Sequence, residues 1–152
     1  MIFAAFGSSF PFPRLLNRLD ELAKESGEKI IVQTGLTPQT AKYCSMFDYA
    51  PSLESYIIKA DVVISHGGLA LPEELLKLGK RFVLIPRLAR FKEHMNDHQV
   101  EICEMFSKKF AIPFLLDEKK LTMDYLKNIP IPRGYSPEPL RNFHNNIKNV
   151  LK

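Results

Sequence analysis

Four consecutive residues, Ser65-His66-Gly67-Gly68, hold the richest chemistry in the sequence. They follow the apolar run Asp61-Val62-Val63-Ile64 and lead into a helix-like stretch over residues 71–79. A buried strand, a glycine turn and a helix start aim backbone N–H groups at an anion. Glycine also lets a ligand approach the backbone closely. An imidazole at the carboxyl end of a strand points into the crevice where α/β folds bind ligands, and it can donate a hydrogen bond to a phosphate oxygen. The alternative for Gly67-Gly68 is a tight turn with no ligand. Further on, Asp97-His98-Gln99 supplies donors and acceptors that suit a polyhydroxylated sugar, so the anion is read as sugar-linked. Asp97 alone also fits a helix N-cap.

Other polar residues narrow the field. Glu73 and Glu74 fall in the first turn of the helix after the glycines, where an acidic residue gains roughly 0.3–1 kcal/mol from the macrodipole. One of them can also hold ribose hydroxyls. His94 and His98 are spaced as a helical metal pair, but no third ligand is placed to help, so no metal is expected. Gly7-Ser8-Ser9 closes the first apolar run without forming G-x-G-x-x-G, and no G-x-x-x-x-G-K-[ST] loop occurs. A nicotinamide fingerprint and a P-loop are both excluded. Small residues over Gly7-Ser8-Ser9 leave room for a ligand or a neighbouring subunit.

These residues need elements to position them. Apolar runs predict strands at Ile2 to Phe6, Lys29 to Gln33, Tyr43 to Tyr49, Asp61 to Ile64, Arg81 to Ile85 and Ile112 to Leu116. Several are continuous Val/Ile/Leu/Phe runs, as expected where both faces of a parallel sheet are covered. Phe12, Leu15, Leu16, Leu19, Leu22 and Ala23 recur at helical spacing. Further helices are expected over Pro51 to Lys59, Leu71 to Leu78, Glu93 to Lys109 and Glu118 to Lys127. Strand–helix alternation predicts an α/β fold, a doubly wound parallel sheet of about six strands. Residues 1–130 form that domain. Residues 131–152 are a proline-rich connector and a last helix, Glu138 to Leu151, which packs on the domain or on a partner.

The 152 residues suffice for one core, with 45% hydrophobic and 25% charged residues. No apolar run approaches the roughly 20 residues that span a bilayer. The start, Met1 to Gly7, reads as a first strand rather than a signal peptide. Cys44 and Cys103 lie far apart and outside any C-x-x-C pattern, so a reducing cytosol is expected. A net charge of +4 permits an anionic substrate or a membrane surface. Arg14, Arg18, Arg87, Arg90 and Lys92 are read first as solvated charge.

Taken together, the chain resembles the donor-binding, carboxyl-terminal half of family 28 glycosyltransferases over Met1 to about Phe106. It is most similar to that family's small stand-alone subunits. These are the soluble subunit of the transferase that acts on dolichol-linked GlcNAc, and subunits of bacterial capsule and exopolysaccharide transferases. The resemblance rests on Ala60 to Gly68, Glu74, Leu78-Gly79-Lys80, Val83-Leu84-Ile85-Pro86-Arg87, Asp97-His98-Gln99 and the opening Ile2 to Gly7.

The resemblance implies a Rossmann-like half of a GT-B enzyme that binds a UDP-sugar. His66, Gly67, Gly68 and Leu69 would line the diphosphate, Glu74 the ribose, and His98 and Gln99 the transferred sugar. Gly7 and Ser8 would face the donor–acceptor cleft, and Arg87 is counted among the substrate-binding residues. It further implies no cofactor, no metal and no nucleic acid. The acceptor-binding half, a membrane-anchored partner chain, would hold a lipid-linked acceptor at the inner face of the membrane. The catalytic base is not assigned; His66 is the candidate on this chain. The family motif continues with a glycine and a Ser or Thr where Ala70 and Leu71 stand, and Pro72 lacks an amide. A lost charge-assisted hydrogen bond costs on the order of 1.5–3 kcal/mol. A non-catalytic partner subunit without donor binding is therefore the alternative. A free-standing enzyme of another phosphorylated metabolite is a third reading.

Overall fold

Every residue of the first strand is buried, which only a sheet covered on both faces allows. The computed structural model describes residues 1–133, and within them five strands form one parallel sheet. These are β1 (Ile2–Ala5), β2 (Ile30–Gln33), β3 (Ser45–Phe47), β4 (Val62–His66) and β5 (Phe82–Ile85), in the order β3-β2-β1-β4-β5. The chain winds outward from β1 through β2 to β3, then returns to place β4 on the other side of β1. The order reverses between β1 and β4, the position at which doubly wound sheets open a crevice.

Alternation along each strand divides the apolar residues between two cores. Ile2, Ala4, Ile30, Val32, Val62, Ile64, Val83 and Ile85 face helix α1 (Pro13–Ser26) and helix α5 (Met123–Lys127). Phe3, Ala5, Val63, Phe82 and Leu84 face α2 (Glu54–Lys59), α3 (Ala70–Lys77) and α4 (His98–Phe110). Helix α1 buries Leu15, Leu16, Leu19 and Leu22, each contributing roughly 1.5–3 kcal/mol of transfer free energy. It has Pro13 at its first turn, where a missing N–H costs nothing, and ends at Gly27, whose amide bonds the Ala23 carbonyl.

The expected sixth strand does not form. Residues 112–116 make one bridge: Leu84 N–H donates to Pro113 O, and Leu115 N–H donates to Leu84 O, both at 3.0 Å. Extending this ladder towards Phe82 would need an N–H from Pro113, and extending it the other way would need one from Pro86. Neither proline has one. Three helices are also shorter than expected, α2 beginning at Glu54 rather than Pro51. Residues 92–97 are irregular, so α4 begins at His98, and Glu118–Lys120 is a single 3-10 turn before α5. Strand β4 runs two residues further than expected, pairing His66 with Ile85. The expected helix Glu138 to Leu151 lies outside the described residues. Among the described residues no helix is long and apolar enough to cross a membrane.

Candidate functional site

At the carboxyl ends of β1 and β4 two loops meet on the ring of His66. The first loop leaves β1 at Phe6 and turns at Gly7 with φ +75°, a left-handed conformation that glycine adopts without strain. Gln33, the last residue of β2 and almost fully buried, fixes that turn. Its Oε1 accepts from Phe6 N–H and Gly7 N–H, both at 3.1 Å. Its Nε2 donates to Gly7 O at 3.2 Å and Asp48 O at 2.8 Å.

The second loop, Gly67-Gly68-Leu69, joins β4 to α3. A Cβ on Gly7 would stand 2.5 Å from His66 Nε2, and one on Gly68 would stand 2.4 Å from His66 Cε1. The imidazole is thus slotted between two glycines.

That slot sets the chemistry of the ring. Gly68 N–H donates to His66 Nδ1 at 3.1 Å, so a neutral ring carries its proton on Nε2. Burial, then the charges of Arg87 and His94, push the pKa of His66 down to about 3. The ring is therefore neutral near pH 7 and offers a hydrogen-bond donor into the cleft. A group tuned so far below neutrality suits donation better than taking an acceptor's proton.

Beneath the loops lies a second layer of buried polar groups. Gln99 on α4 accepts with Oε1 from Arg87 N–H at 2.8 Å and Gly67 N–H at 3.3 Å. Arg87 is 1% exposed. Its Nη2 donates to the carbonyls of Phe6, at 2.6 Å, and Phe10, and its guanidinium lies 4.9 Å from the Phe12 ring centre. Burial lowers its pKa to about 10. Glu93 is equally hidden, held by two 2.9 Å bonds from Arg14, which also pairs with Glu118 at 2.9 Å. Arg14, Arg18 and Arg87 are thus braces rather than solvated charge, with Arg18 bonded to Leu121 O at 2.9 Å. Arg90 and Lys92 are exposed, as expected.

Between the loops is a cleft of about 260 Å³. Gly7, Ser8, Ser9, His66, Gly68 and Leu69 line it, as do Gln33 and Leu53, which the sequence reading missed. Gly67, Glu74, Arg87, His98 and Gln99 do not line it; Gly67 and Gln99 are buried beneath it. The amides of Gly67 and Gly68 are already taken by Gln99 and His66. Those of Leu69, Ala70 and Leu71 find no acceptor among the described residues and stand at the positive end of α3.

Asp97 does occupy the N-cap position of α4, but its side chain accepts from Ala89 N–H at 2.9 Å instead of capping the helix. His94 lies outside α4, its ring 5.0 Å from that of Phe10, so the helical pairing with His98 does not exist. Among the described residues no three His, Cys, Asp or Glu side chains cluster to hold a metal. Cys44 and Cys103 are free and buried.

Comparison with known proteins gives one family match: the glycosyltransferase family 28 C-terminal domain matches residues 6–126. No curated protein matches the chain. Among solved structures, the solution structure of ALG13 superposes with a TM-score of 0.61 at 18% identity, covering 96% of this chain and 94% of that one. The glycotransferase of kitacinnamycin gives 0.55 at 14% identity, and MurG of Acinetobacter baumannii 0.55 at 16%. The chain is covered to 97% in both, yet it spans only 38% and 41% of those two proteins. At these identities the likeness establishes the fold, a Rossmann-like half of the GT-B type with five strands rather than six.

Proposed function

The chain belongs to the glycosyltransferase family 28 C-terminal domains, and from that premise we propose that it is the donor-binding subunit of an inverting, UDP-sugar-dependent transferase. In this reading a hexose passes to a lipid-linked acceptor in polysaccharide or glycolipid synthesis. The observation that carries it is the cleft at the β1–β4 switch point, with its neutral donors. His66 Nε2–H and the amides of Leu69, Ala70 and Leu71 converge where a diphosphate would lie. Such fixed donors stabilise negative charge as it builds on the departing UDP, and they do so without reorganising. This is a role that a neutral His66 fills and that needs no metal.

The remaining residues take supporting parts. Glu74, one turn into α3, holds the ribose hydroxyls, and Gly7 and Ser8 face the acceptor side. His98 and Gln99 would contact the transferred sugar once the second half closes the cleft, while the Oε1 of Gln99 and the side chain of Arg87 hold the loops. In a single displacement the acceptor oxygen bonds to the anomeric carbon as the bond to the UDP oxygen breaks. The acceptor's proton goes to a base supplied by the second half. A cleft of about 260 Å³ falls just short of the roughly 300–1,000 Å³ usual for a complete small-molecule site. It therefore suits one wall of a cleft closed by a membrane-anchored partner, which would bring the chain to the inner face of the membrane.

One observation favours a second reading, a partner subunit that has lost donor binding. The Gly67 and Gly68 amides are occupied within the protein, and Ala70-Leu71-Pro72 offers no hydroxyl and one amide fewer. Titration calorimetry with UDP and UDP-hexoses, on the chain alone and with the second half, separates the two. Heat at sub-millimolar ligand and sugar transfer in the reconstituted pair support the donor-binding subunit. No heat in either preparation, with transfer persisting when the cleft of this chain is blocked by Ser8→Trp, assigns it to the second class.

A further inference from the structure

Beside the cleft stands a rim of basic and apolar side chains that the chemistry above does not use. It is built on the loop after β5, where Ala89–Phe91 forms a 3-10 turn and Lys92 takes φ +57°. Two acids fix this loop from within: Glu93 accepts from Leu88 N–H at 3.1 Å and Asp97 from Ala89 N–H at 2.9 Å. Phe91 is 47% and Met95 86% exposed. Arg14 ties in Leu116, also exposed, by bonding its carbonyl at 3.3 Å, and its guanidinium lies 4.7 Å from the Phe91 ring.

Around these apolar side chains Arg90, Lys92, Lys119 and Lys120 are exposed. Glu93 and Glu118, the acids next to them, are paired with Arg14. Asp97 and Asp117 add exposed negative charge, and both accept backbone amides.

We propose that this rim docks the chain directly on an anionic lipid surface. Large apolar side chains standing among lysines and arginines bury their bodies at the headgroup level, while the cations meet lipid phosphates. Three of the four exposed cations are lysines, a residue depleted at protein–protein interfaces. The rim reaches the cleft wall through one neighbour: the His94 ring packs on Phe10, which follows Ser9 of the cleft lining. A chain seated on its rim would hold the cleft beside the headgroups. The inference goes beyond the donor-binding reading and does not depend on it.

The test is sedimentation of the full chain with phosphatidylglycerol-rich vesicles and with pure phosphatidylcholine vesicles. The chain is expected to pellet with the first and not with the second. Each basic residue near an anionic surface changes partition about fivefold, so Arg90→Glu with Lys92→Glu lowers it about 25-fold or more. Met95→Ser lowers it too, and UDP titration of the same variants checks that the cleft is untouched. No pelleting with anionic vesicles, or pelleting equal in wild type and both variants, overturns the proposal. Pelleting that appears only after the membrane-anchored second half is added also overturns it, making the rim a protein contact.

Discussion

His66 shows how much of a site is decided by neighbours rather than by the residue itself. The motif made it visible in the sequence, since a histidine before two glycines at a strand end has few purely structural reasons to be there. Its protonation was not legible, because the Gly68 amide on Nδ1 and the slot against Gly7 exist only once two distant loops meet. Unfolded, the ring ionises near 6.5; folded, near 3. Between those values the unfolded chain takes up a proton that the folded chain refuses. The contribution of neutral His66 is therefore complete above about pH 6.5 and is lost as pH falls towards 3. Urea midpoints at pH 7 and pH 4.5 should show a smaller loss for His66→Gln than for wild type.

Arg87 is legible as a cation, expected as solvated charge and, through the resemblance, as substrate-binding; it instead braces the Phe6–Phe10 loop from below. Arg87→Met orphans two carbonyls, costing about 1–3 kcal/mol each, with a matching fall in the urea midpoint. Gln33 escaped notice because a polar residue closing a strand carries no motif; its role appears only in its four bonds across β1 and the Asp48 loop.

Elements were the most legible scale, and their failures share a cause. Five of six strands were foreseen because parallel strands buried on both faces read as unbroken apolar runs. The sixth has the same composition, but Pro113 and Pro86 each remove a donor that a ladder needs, so one bridge is all that forms. Helix α4 starts late because residues 92–97 spend their polar groups on local turns, Asn96 Oδ1 on His98 N–H and Asp97 on Ala89 N–H. The expected helix over residues 118–127 breaks at Leu121, after which Thr122 caps α5 by accepting Tyr125 N–H at 3.1 Å. Thr122→Ala should cost about 1 kcal/mol. Because α5 is only five residues long, hydrogen exchange should rise selectively over Met123 to Lys127.

At the scale of the whole molecule, the order β3-β2-β1-β4-β5 puts the loops after β1 and β4 side by side, and every property of the cleft follows from that reversal. The doubly wound parallel class was legible from alternation, the strand order was not. Nor was the occupation of the Gly67 and Gly68 amides, since it depends on Gln99 reaching under the loop and on the His66 ring turning back on Gly68. On the proposed reading this wall is completed by a second half, so function is measured with both.

The most direct measurement is an amide-resolved NMR titration of the chain with a UDP-hexose, alone and with its second half. Saturable shifts are expected at Leu69, Ala70 and Leu71, together with a downfield move of the His66 Nε2–H, while the Gly67 and Gly68 amides keep their partners. Unmoved Leu69 to Leu71 resonances at millimolar ligand in both preparations would contradict donor binding at this cleft.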